Sequence, residues 1–225
     1  MKIIEVAITT TDLGATAAFY RDLLELPVTA LSEGFAVDIG RSRLIVTDGA
    51  PFAGVHHLAF GISPVDFDLS HRWLRRRTEL FSIAGSDTFD GPAGWDSRSV
   101  YFRGPDGIVL ELIARQADRN EPGSGGESPH ALSISEVGIG VPDVGLAARQ
   151  LAESFNLSPF PPQLSRFAPV GGHDGLLILA NSNRVWFPTD EEVPAQGPVT
   201  VRIESAKAAP GGKVALTAGA IIQAD

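Results

Sequence analysis

Four segments of the chain open with the alternation of apolar and polar residues that is typical of a β-strand with one buried face. They are Glu5-Val-Ala-Ile, His57-Leu-Ala-Phe, Glu136-Val-Gly-Ile and Thr200-Val-Arg-Ile. The first and third segments continue alike, because an aspartate follows at the same distance in each and Leu26 corresponds to Leu157. Internal repetition of this kind indicates a structural unit used several times.

Helix signals follow three of the four strand starts. Asp12 and Asp143 stand where an N-cap would accept hydrogen bonds from the free N–H groups of a first helical turn, and Ser63-Pro64 offers an N-cap before a proline. Apolar residues then recur at helical spacing, at Leu13, Ala17, Tyr20 and Leu24, at Phe67, Trp73 and Leu74, and at Val144, Ala147, Leu151 and Phe155. The fourth start leaves no room for a helix before the chain ends.

Short strands are expected after each helix. They are predicted at 35–39 and 43–47, at 99–103 and 108–113 around Gly104-Pro-Asp-Gly, and at 176–179 and 185–187 around Asn181-Ser-Asn. The sequence therefore predicts an α+β protein of repeated βαβββ units with a degenerate second half. The stretch 119–128 is rich in Gly, Glu and Ser without periodicity, so we expect modules at 1–117 and 131–225 joined by a linker at 118–130.

Composition narrows the range of functions. The 225-residue chain carries a net charge of −9, which argues against a nucleic-acid partner, and it has no cysteine, which excludes thiolate metal sites and cysteine nucleophiles. The N-terminus lacks a signal-peptide pattern, and no apolar stretch approaches the roughly 20 residues that span a bilayer. We therefore expect a soluble, cytoplasmic protein with no membrane association.

Strand alternation selects the residues that carry chemistry. His57, Ala59 and Gly61 share one face of their strand, as do Val109, Glu111 and Ile113. If that face is buried, the Glu111 carboxylate must be paired, protonated or bound to a metal, and the same holds more weakly for Glu5 and Glu136. Two other interpretations stay open: a core histidine whose ring bonds a carbonyl, and a buried ion pair of Glu111 with Arg43, Arg98 or Arg103.

The order of these motifs resembles the vicinal oxygen chelate superfamily, which includes glyoxalase, fosfomycin-resistance, bleomycin-resistance and extradiol dioxygenase proteins. The resemblance rests on Glu5 before Asp12-Leu13, on Val55-His-His-Leu-Ala-Phe-Gly, and on Tyr101-Phe-Arg-Gly-Pro-Asp-Gly-Ile-Val-Leu-Glu111. It covers residues 3–115 well and the second half only in outline. The resemblance implies two paired, curved mixed sheets and a divalent metal held by His57, Glu111 and one further glutamate.

The resemblance also implies which glutamate completes the metal site. The third ligand is Glu5 if units pair within one half and Glu136 if they are swapped between halves, and Glu5 is preferred. One imidazole and two carboxylates suit Mn²⁺, Ni²⁺, Zn²⁺ or Mg²⁺, with iron less favoured. Glu5 and Glu111 are the candidate proton-transfer groups, and Trp95, Arg98, Tyr101 and Arg103 are the candidate substrate contacts.

The resemblance implies a glyoxalase-like isomerase or lyase acting on a small molecule chelated through adjacent oxygens. The alternative is a protein of bleomycin-resistance type that binds a small molecule or antibiotic without turnover, and ring-cleaving dioxygenase chemistry is less favoured because only one histidine is expected at the metal. A monomer suffices if the halves pair within the chain, whereas an exposed sheet edge would favour a homodimer.

Overall fold

The computed structural model of the protein describes residues 1–205 and 211–225. Its strands are β1 (Lys2–Thr10), β2 (Val28–Leu31), β3 (Gly34–Ile39), β4 (Ser42–Asp48), β5 (His57–Ile62), β6 (Phe89–Asp90), β7 (Ser97–Arg103), β8 (Val109–Arg115), β9 (Ala131–Val141), β10 (Phe167–Gly172), β11 (Gly175–Asn181), β12 (Val199–Glu204), β13 (Lys213–Ala215) and β14 (Ala220–Ala224). Its α-helices are α1 (Leu13–Ala18), α2 (Phe67–Arg75) and α3 (Val144–Phe155). Among the described residues, no helix is long and apolar enough to cross a membrane.

The four predicted unit starts are confirmed, since β1, β5, β9 and β12 contain them. The first two units have the full βαβββ order, the third has one strand fewer, and the described part of the fourth has strands only. No helix or strand is found between residues 119 and 130, which agrees with an irregular connection there. The α+β class and the degenerate second half are therefore as the sequence predicted.

The units pair across the two halves of the chain and not within them. One seven-stranded sheet has the order β13-β14-β12-β1-β4-β3-β2, and the other has the order β10-β11-β9-β5-β8-β7-β6. The first and fourth units thus form one mixed sheet, and the second and third units form the other. In the second sheet β5 lies in the middle, parallel to β8 and antiparallel to β9.

Alternate residues of the second sheet face two different apolar clusters. Leu58, Phe60 and Ile62 of β5 lie in the main core, which also takes in the first sheet and the apolar faces of α2 and α3. Ala59 belongs to a smaller cluster on the opposite face, together with Trp95 and Trp186. Because side chains of a strand alternate between its faces, His57 and Glu111 also project toward the smaller cluster, away from the main core.

The helix starts agree with the sequence only in part. Asp12 accepts a hydrogen bond from Ala15 N at 2.9 Å, and Asp143 accepts one from Leu146 N at 2.8 Å, so both predicted N-caps are confirmed. The Ser63 hydroxyl instead donates to the carbonyl of Glu121 at 2.8 Å, and α2 begins only at Phe67 after a short 3₁₀ turn. The predicted first helix is interrupted after Ala18 by a π-helical turn over Phe19–Leu23.

The predicted hairpin of the third unit is wrong. The hairpin joins β10 to β11 and turns at residues 173–174, whereas residues 185–187, predicted as a strand, are irregular. The physical reason is a tertiary contact, because Trp186 is buried and its indole N–H donates to the carbonyl of Val55 at 3.1 Å. If residues 185–187 formed a strand instead, the backbone hydrogen bonds of that strand would have to replace this contact.

Asp106, in the tight turn between β7 and β8, links the two sheets. Its carboxylate accepts hydrogen bonds from Thr10 Oγ1 at 2.6 Å, Thr11 N at 3.0 Å and Thr11 Oγ1 at 2.5 Å. Thr10 ends β1 of the first sheet, whereas Asp106 belongs to the second. The Gly-Pro-Asp-Gly motif therefore does more than reverse the chain.

We expect Asp106→Ala to lower the free energy of unfolding by about 2 kcal/mol, since three hydrogen bonds to one carboxylate are lost. Urea denaturation followed by circular dichroism measures the change. Asp48→Ala, at an exposed aspartate that ends β4, is the control and should change the stability by less than about 0.5 kcal/mol. Equal stability losses in the two variants would contradict a linking role for Asp106.

Candidate metal centre and its cavity

Two buried glutamates flank a single alanine in the middle of the second sheet. Ala59 pairs with Glu111 of β8 on one side and with Glu136 of β9 on the other. Neighbouring strands are about 4.8 Å apart, so both glutamates can lean over the intervening strand. Because the alanine has only a methyl group, nothing fills the space where the two carboxylates approach each other.

His57 completes the group from two residues earlier on the same strand face. Its Nδ1 lies 3.1 Å from the carbonyl oxygen of Val109, to which it donates, and its Nε2 lies 3.5 Å from Glu111 Oε2. Gly138 provides the room, because a Cβ at that position would come within 2.9 Å of His57 Cβ and 2.8 Å of the Trp186 ring. The donated Nδ1 proton leaves the Nε2 lone pair directed at the carboxylates.

The three side chains form a compact, buried donor set. One ligand atom from each of His57, Glu111 and Glu136 lies within 4.8 Å of the others. The residues are 6%, 2% and 3% exposed. A neutral imidazole nitrogen and two carboxylates in this space fit a divalent cation, which would offset the cost of burying the charges.

Burial dominates the protonation of the group. Desolvation lowers the pKa of His57 to about 4, against the weaker effect of its hydrogen bond to Val109, so its ring is neutral at pH 7. Desolvation, and next the charge of Glu136, raise the pKa of Glu111 to about 8. Burial also raises the pKa of Glu136, although the adjacent Arg115 opposes the shift. The pKa of the Tyr101 phenol lies well above its usual value, first through burial and then through the charge of Glu111.

Arg115, the last residue of β8, forms a direct ion pair with only one of the two carboxylates, although its charge also lowers the pKa of Glu111 against the larger effect of burial. Its fully buried guanidinium forms an ion pair with Glu136, and its Nε donates to Ser135 Oγ at 3.3 Å. Within the described residues, Glu111 forms no ion pair with a lysine or an arginine. Sequence reasoning missed Arg115, although strand alternation places it on the face of Glu111.

The structure places Glu5 away from this group, and its swapped pairing of units is the case for which the sequence analysis names Glu136 as the third glutamate. Glu5 lies on β1 in the other sheet, where its carboxylate accepts a hydrogen bond from Arg202 at 3.2 Å. The reason is the swapped pairing, which brings β9 and not β1 beside β5. Its side chain, paired with Arg202 in that sheet, is not among the three that the structure brings together.

The group lies at the buried end of a cavity of about 420 Å³, within the range of about 300–1,000 Å³ typical of small-molecule sites. Two of the four predicted substrate contacts, Trp95 and Tyr101, line it. Arg98 and Arg103 do not, because Arg98 lies over the ring of Phe67 and Arg103 pairs with Glu192. Lining residues that sequence reasoning did not select are Asp90, Gly91, Pro92, Ser97, Ser99, Ile113, Pro162, Leu164, Phe167, Ile178, Arg184, Trp186 and Phe187.

The two alternatives, a core histidine and a Glu111–arginine ion pair, are answered differently by the structure. His57 does bond a carbonyl, but only through one ring nitrogen. Arg43 pairs with Asp38 in the first sheet and Arg98 pairs with Asp68, so neither neutralises Glu111. His56, the residue before β5, is buried against Phe52 and does not join the donor set.

Replacing Arg115 by Met should cost about 3–5 kcal/mol of unfolding free energy, because Glu136 then stays buried without its counter-charge. The double variant Arg115→Met/Glu136→Gln removes both charges and should recover most of that loss. Guanidinium denaturation of the metal-free proteins measures both values. If the double variant is no more stable than Arg115→Met, the contribution of Arg115 to stability does not come from its ion pair with Glu136.

Metal-free protein should lose stability as the pH rises from about 5 to above 8. The folded-state pKa of Glu111 is about 8, above the value near 4.3 for an unfolded chain, so deprotonation disfavours the folded form. Urea midpoints at pH 6 and pH 9 measure the effect. Glu111→Gln should show a smaller loss over this range, and an identical pH dependence in both proteins would contradict the assignment.

Comparison with solved structures tests the fold. A proposed dioxygenase from Bacillus subtilis subsp. subtilis str. 168 matches 100% of this chain and 85% of its own at 12% identity and a TM-score of 0.63. The V278E mutant of glyoxalase I from Zea mays matches 99% of this chain and 91% of its own at 12% identity and 0.59. Glyoxalase I from Zea mays matches 89% and 74% at 13% identity and 0.57.

A scan against protein-family models finds no match, and a search of the curated proteins finds none either. At identities this low, the structural likeness establishes the fold and leaves the activity open. The chain therefore has the glyoxalase-like fold of these structures, in agreement with the vicinal oxygen chelate resemblance of its motifs.

Proposed function

We propose that this protein is a divalent-metal-dependent enzyme of glyoxalase-like type, an isomerase or lyase whose small substrate is chelated through adjacent oxygens. The observation that carries the proposal is the approach of His57, Glu111 and Glu136 to within 4.8 Å at the buried end of a cavity. These residues support the metal site, whereas the isomerase or lyase chemistry is what the motif resemblance implies, because one fold supports many reactions.

The metal would be held by His57 Nε2 and by one oxygen from each glutamate. This set suits Mn²⁺, Ni²⁺, Zn²⁺ or Mg²⁺, and Fe²⁺ less, because non-haem iron oxygenases usually present two histidines. A bound divalent ion would supply Lewis-acid polarisation of substrate oxygens. Two carboxylates would cancel the charge of such an ion, and Arg115, paired with Glu136, returns one positive charge to the site.

Glu111 is the candidate for proton transfer. Its Oε2 lies 3.5 Å from His57 Nε2, it is the cross-strand neighbour of Tyr101, and it lines the cavity. In an isomerisation it would accept a proton from a carbon adjacent to a substrate carbonyl and return the proton to the neighbouring atom. Tyr101, a protonated phenol at neutral pH, would orient that carboxylate.

A binding protein without turnover, of bleomycin-resistance type, is the second candidate. The aromatic walls of the cavity, formed by Trp95, Phe167 and Trp186, support it, because such surfaces hold apolar ligands. The buried Glu111 argues for a metal, since a purely apolar ligand would leave its carboxylate without a partner. Metal content therefore separates the two candidates.

Protein purified without an affinity tag should contain about one equivalent of a divalent metal, measured by mass spectrometry. His57→Ala, Glu111→Ala and Glu136→Gln should each lose it, because each removes one of only three protein ligands. Glu5→Gln is the matched control and should retain the metal, since Glu5 lies in the other sheet. Circular dichroism confirms that each variant is folded.

Two outcomes would contradict the proposal. Wild-type protein without metal after dialysis against Mn²⁺, Ni²⁺ and Zn²⁺ would favour the binding-protein alternative. Loss of metal in Glu5→Gln with retention in Glu136→Gln would mean that the glutamate of the first unit completes the site. If metal is present, screening of glyoxalase-like and isomerase substrates tests turnover, which Glu111→Ala should abolish.

A further inference from the structure

Arg184 is a half-buried cation on the wall of the cavity, outside the metal-binding group. It follows β11 in the irregular segment that also contains Trp186, and its side chain lines the same cavity. Its guanidinium carbon lies 4.6 Å from the ring centroid of Phe167, another lining residue. The aromatic ring supports one face of the guanidinium and thereby holds it at the cavity wall.

Arg184 has no carboxylate partner within the part of the chain that the structure describes. Its only side-chain hydrogen bond there is a long one, 3.4 Å, to the carbonyl of Val185. The arginines that do form ion pairs are Arg21, Arg41, Arg43, Arg75, Arg77, Arg98, Arg103, Arg115 and Arg202. The remaining ones, Arg72, Arg76, Arg119, Arg149 and Arg166, are exposed. Arg184 alone among the described arginines is both shielded from water and unpaired.

A second cation strengthens the positive potential at this wall. Arg166 lies close enough that its charge, after burial, lowers the pKa of Arg184. The Arg166 guanidinium donates to the carbonyl of Asn183 at 3.0 Å, on the chain segment that carries Arg184. In a protein with a net charge of −9, two adjacent arginines without an acidic partner leave a local site for an anion. Asp90 also lines the cavity but is exposed and forms no ion pair with Arg184.

The rest of the cavity wall sets the character of the bound molecule. Leu164 and Phe187 line the open end and are 58% and 46% exposed, so apolar surface meets solvent there. Phe167 and Trp186 continue the apolar wall inward toward the ring of His57, whose centroid is 5.3 Å from that of Trp186. A ligand could therefore contact apolar surface along its body while one end reaches Arg184.

We propose that Arg184 determines substrate specificity by binding a carboxylate or similar oxyanion, so that the substrate is a small organic anion with an apolar body. The body would lie along Phe167, Trp186 and Leu164, and the adjacent oxygens would reach the metal-binding group; this last part rests on the proposed function. A guanidinium favours an oxyanion because it donates two parallel hydrogen bonds and its charge is partly desolvated here.

The test compares two ligands of nearly the same shape that differ in charge, cyclohexanecarboxylate and cyclohexanecarboxamide. Trp95 and Trp186 line the cavity, and neither compound absorbs where tryptophan is excited, so fluorescence titration of the purified protein reports binding. Wild-type protein should bind the carboxylate about tenfold more tightly than the amide, as expected for one charge-assisted contact. Arg184→Gln should reduce this ratio to about one without changing the affinity for the amide.

Three further variants make the result specific. Arg184→Lys keeps the charge and should retain part of the preference. Arg149→Gln, at an exposed and unpaired arginine of α3, is the matched control and should behave as wild type. Arg166→Gln should weaken carboxylate binding by about two- to threefold, because it acts through the potential and not by contact.

Failure of this inference is distinguishable from failure of the proposed function. A carboxylate preference that persists in Arg184→Gln but disappears in His57→Ala would place the anion on the metal and overturn the role of Arg184. Equal binding of the two compounds by wild-type protein, or no carboxylate binding, would also overturn it. A preference abolished by Arg184→Gln supports the inference even if the protein contains no metal, whereas metal content alone decides the metal site.

Discussion

The free-energy cost of burying two carboxylates side by side is the constraint that shapes this site. Glu111 and Glu136 face one another across Ala59, and both are almost completely shielded from water. Like charges in a medium of low dielectric repel strongly, and each also loses its hydration. Two features lower this cost. Glu136 is paired with the buried Arg115, and Glu111 stays protonated in the absence of a cation. A bound divalent ion would lower the cost in a third way, and it would also give the site a role in chemistry.

Small residues make the arrangement sterically possible. Ala59 leaves the space into which both glutamates lean, and the missing side chain of Gly138 leaves room for the Trp186 ring beside His57. The same strands place their other faces in the main core, where Leu58 and Phe60 pack. One sheet thus separates a large apolar core, which supplies the stability, from a smaller cluster that forms the walls of the cavity. Substitutions on the two faces should therefore have separable effects on folding and on binding.

The swapped pairing of units makes the second half of the chain part of the site. The third unit supplies Glu136, the hairpin that carries Phe167, and the segment that carries Arg184 and Trp186. The fourth unit supplies strands that cover the first unit, with Arg202 beside Glu5. Degeneration of the second half therefore concerns the repeat pattern and not its contribution to the cavity. The second half thus contributes Glu136 and several residues of the cavity wall.

The sequence by itself determined the repeated units, the α+β class and two of the three grouped side chains. Strand alternation and the Pro-Asp-Gly turn are local signals, so His57 and Glu111 could be selected without knowledge of the fold. Helix N-caps at Asp12 and Asp143 are local for the same reason, and the structure has both. The predicted strand at 185–187 failed because Trp186 satisfies its indole N–H through a distant carbonyl, a contact that no local pattern records.

Only the tertiary structure decided which glutamate lies beside His57, since Glu5 and Glu136 occupy equivalent positions in equivalent units and differ only in which strand pairs with β5. It also decided that Arg115 neutralises Glu136, that Arg98 and Arg103 turn away from the cavity, and that Arg184 faces it. The physical reason is common to these cases. Periodicity fixes the face of a strand on which a side chain lies, whereas pairing between distant strands fixes what that face meets.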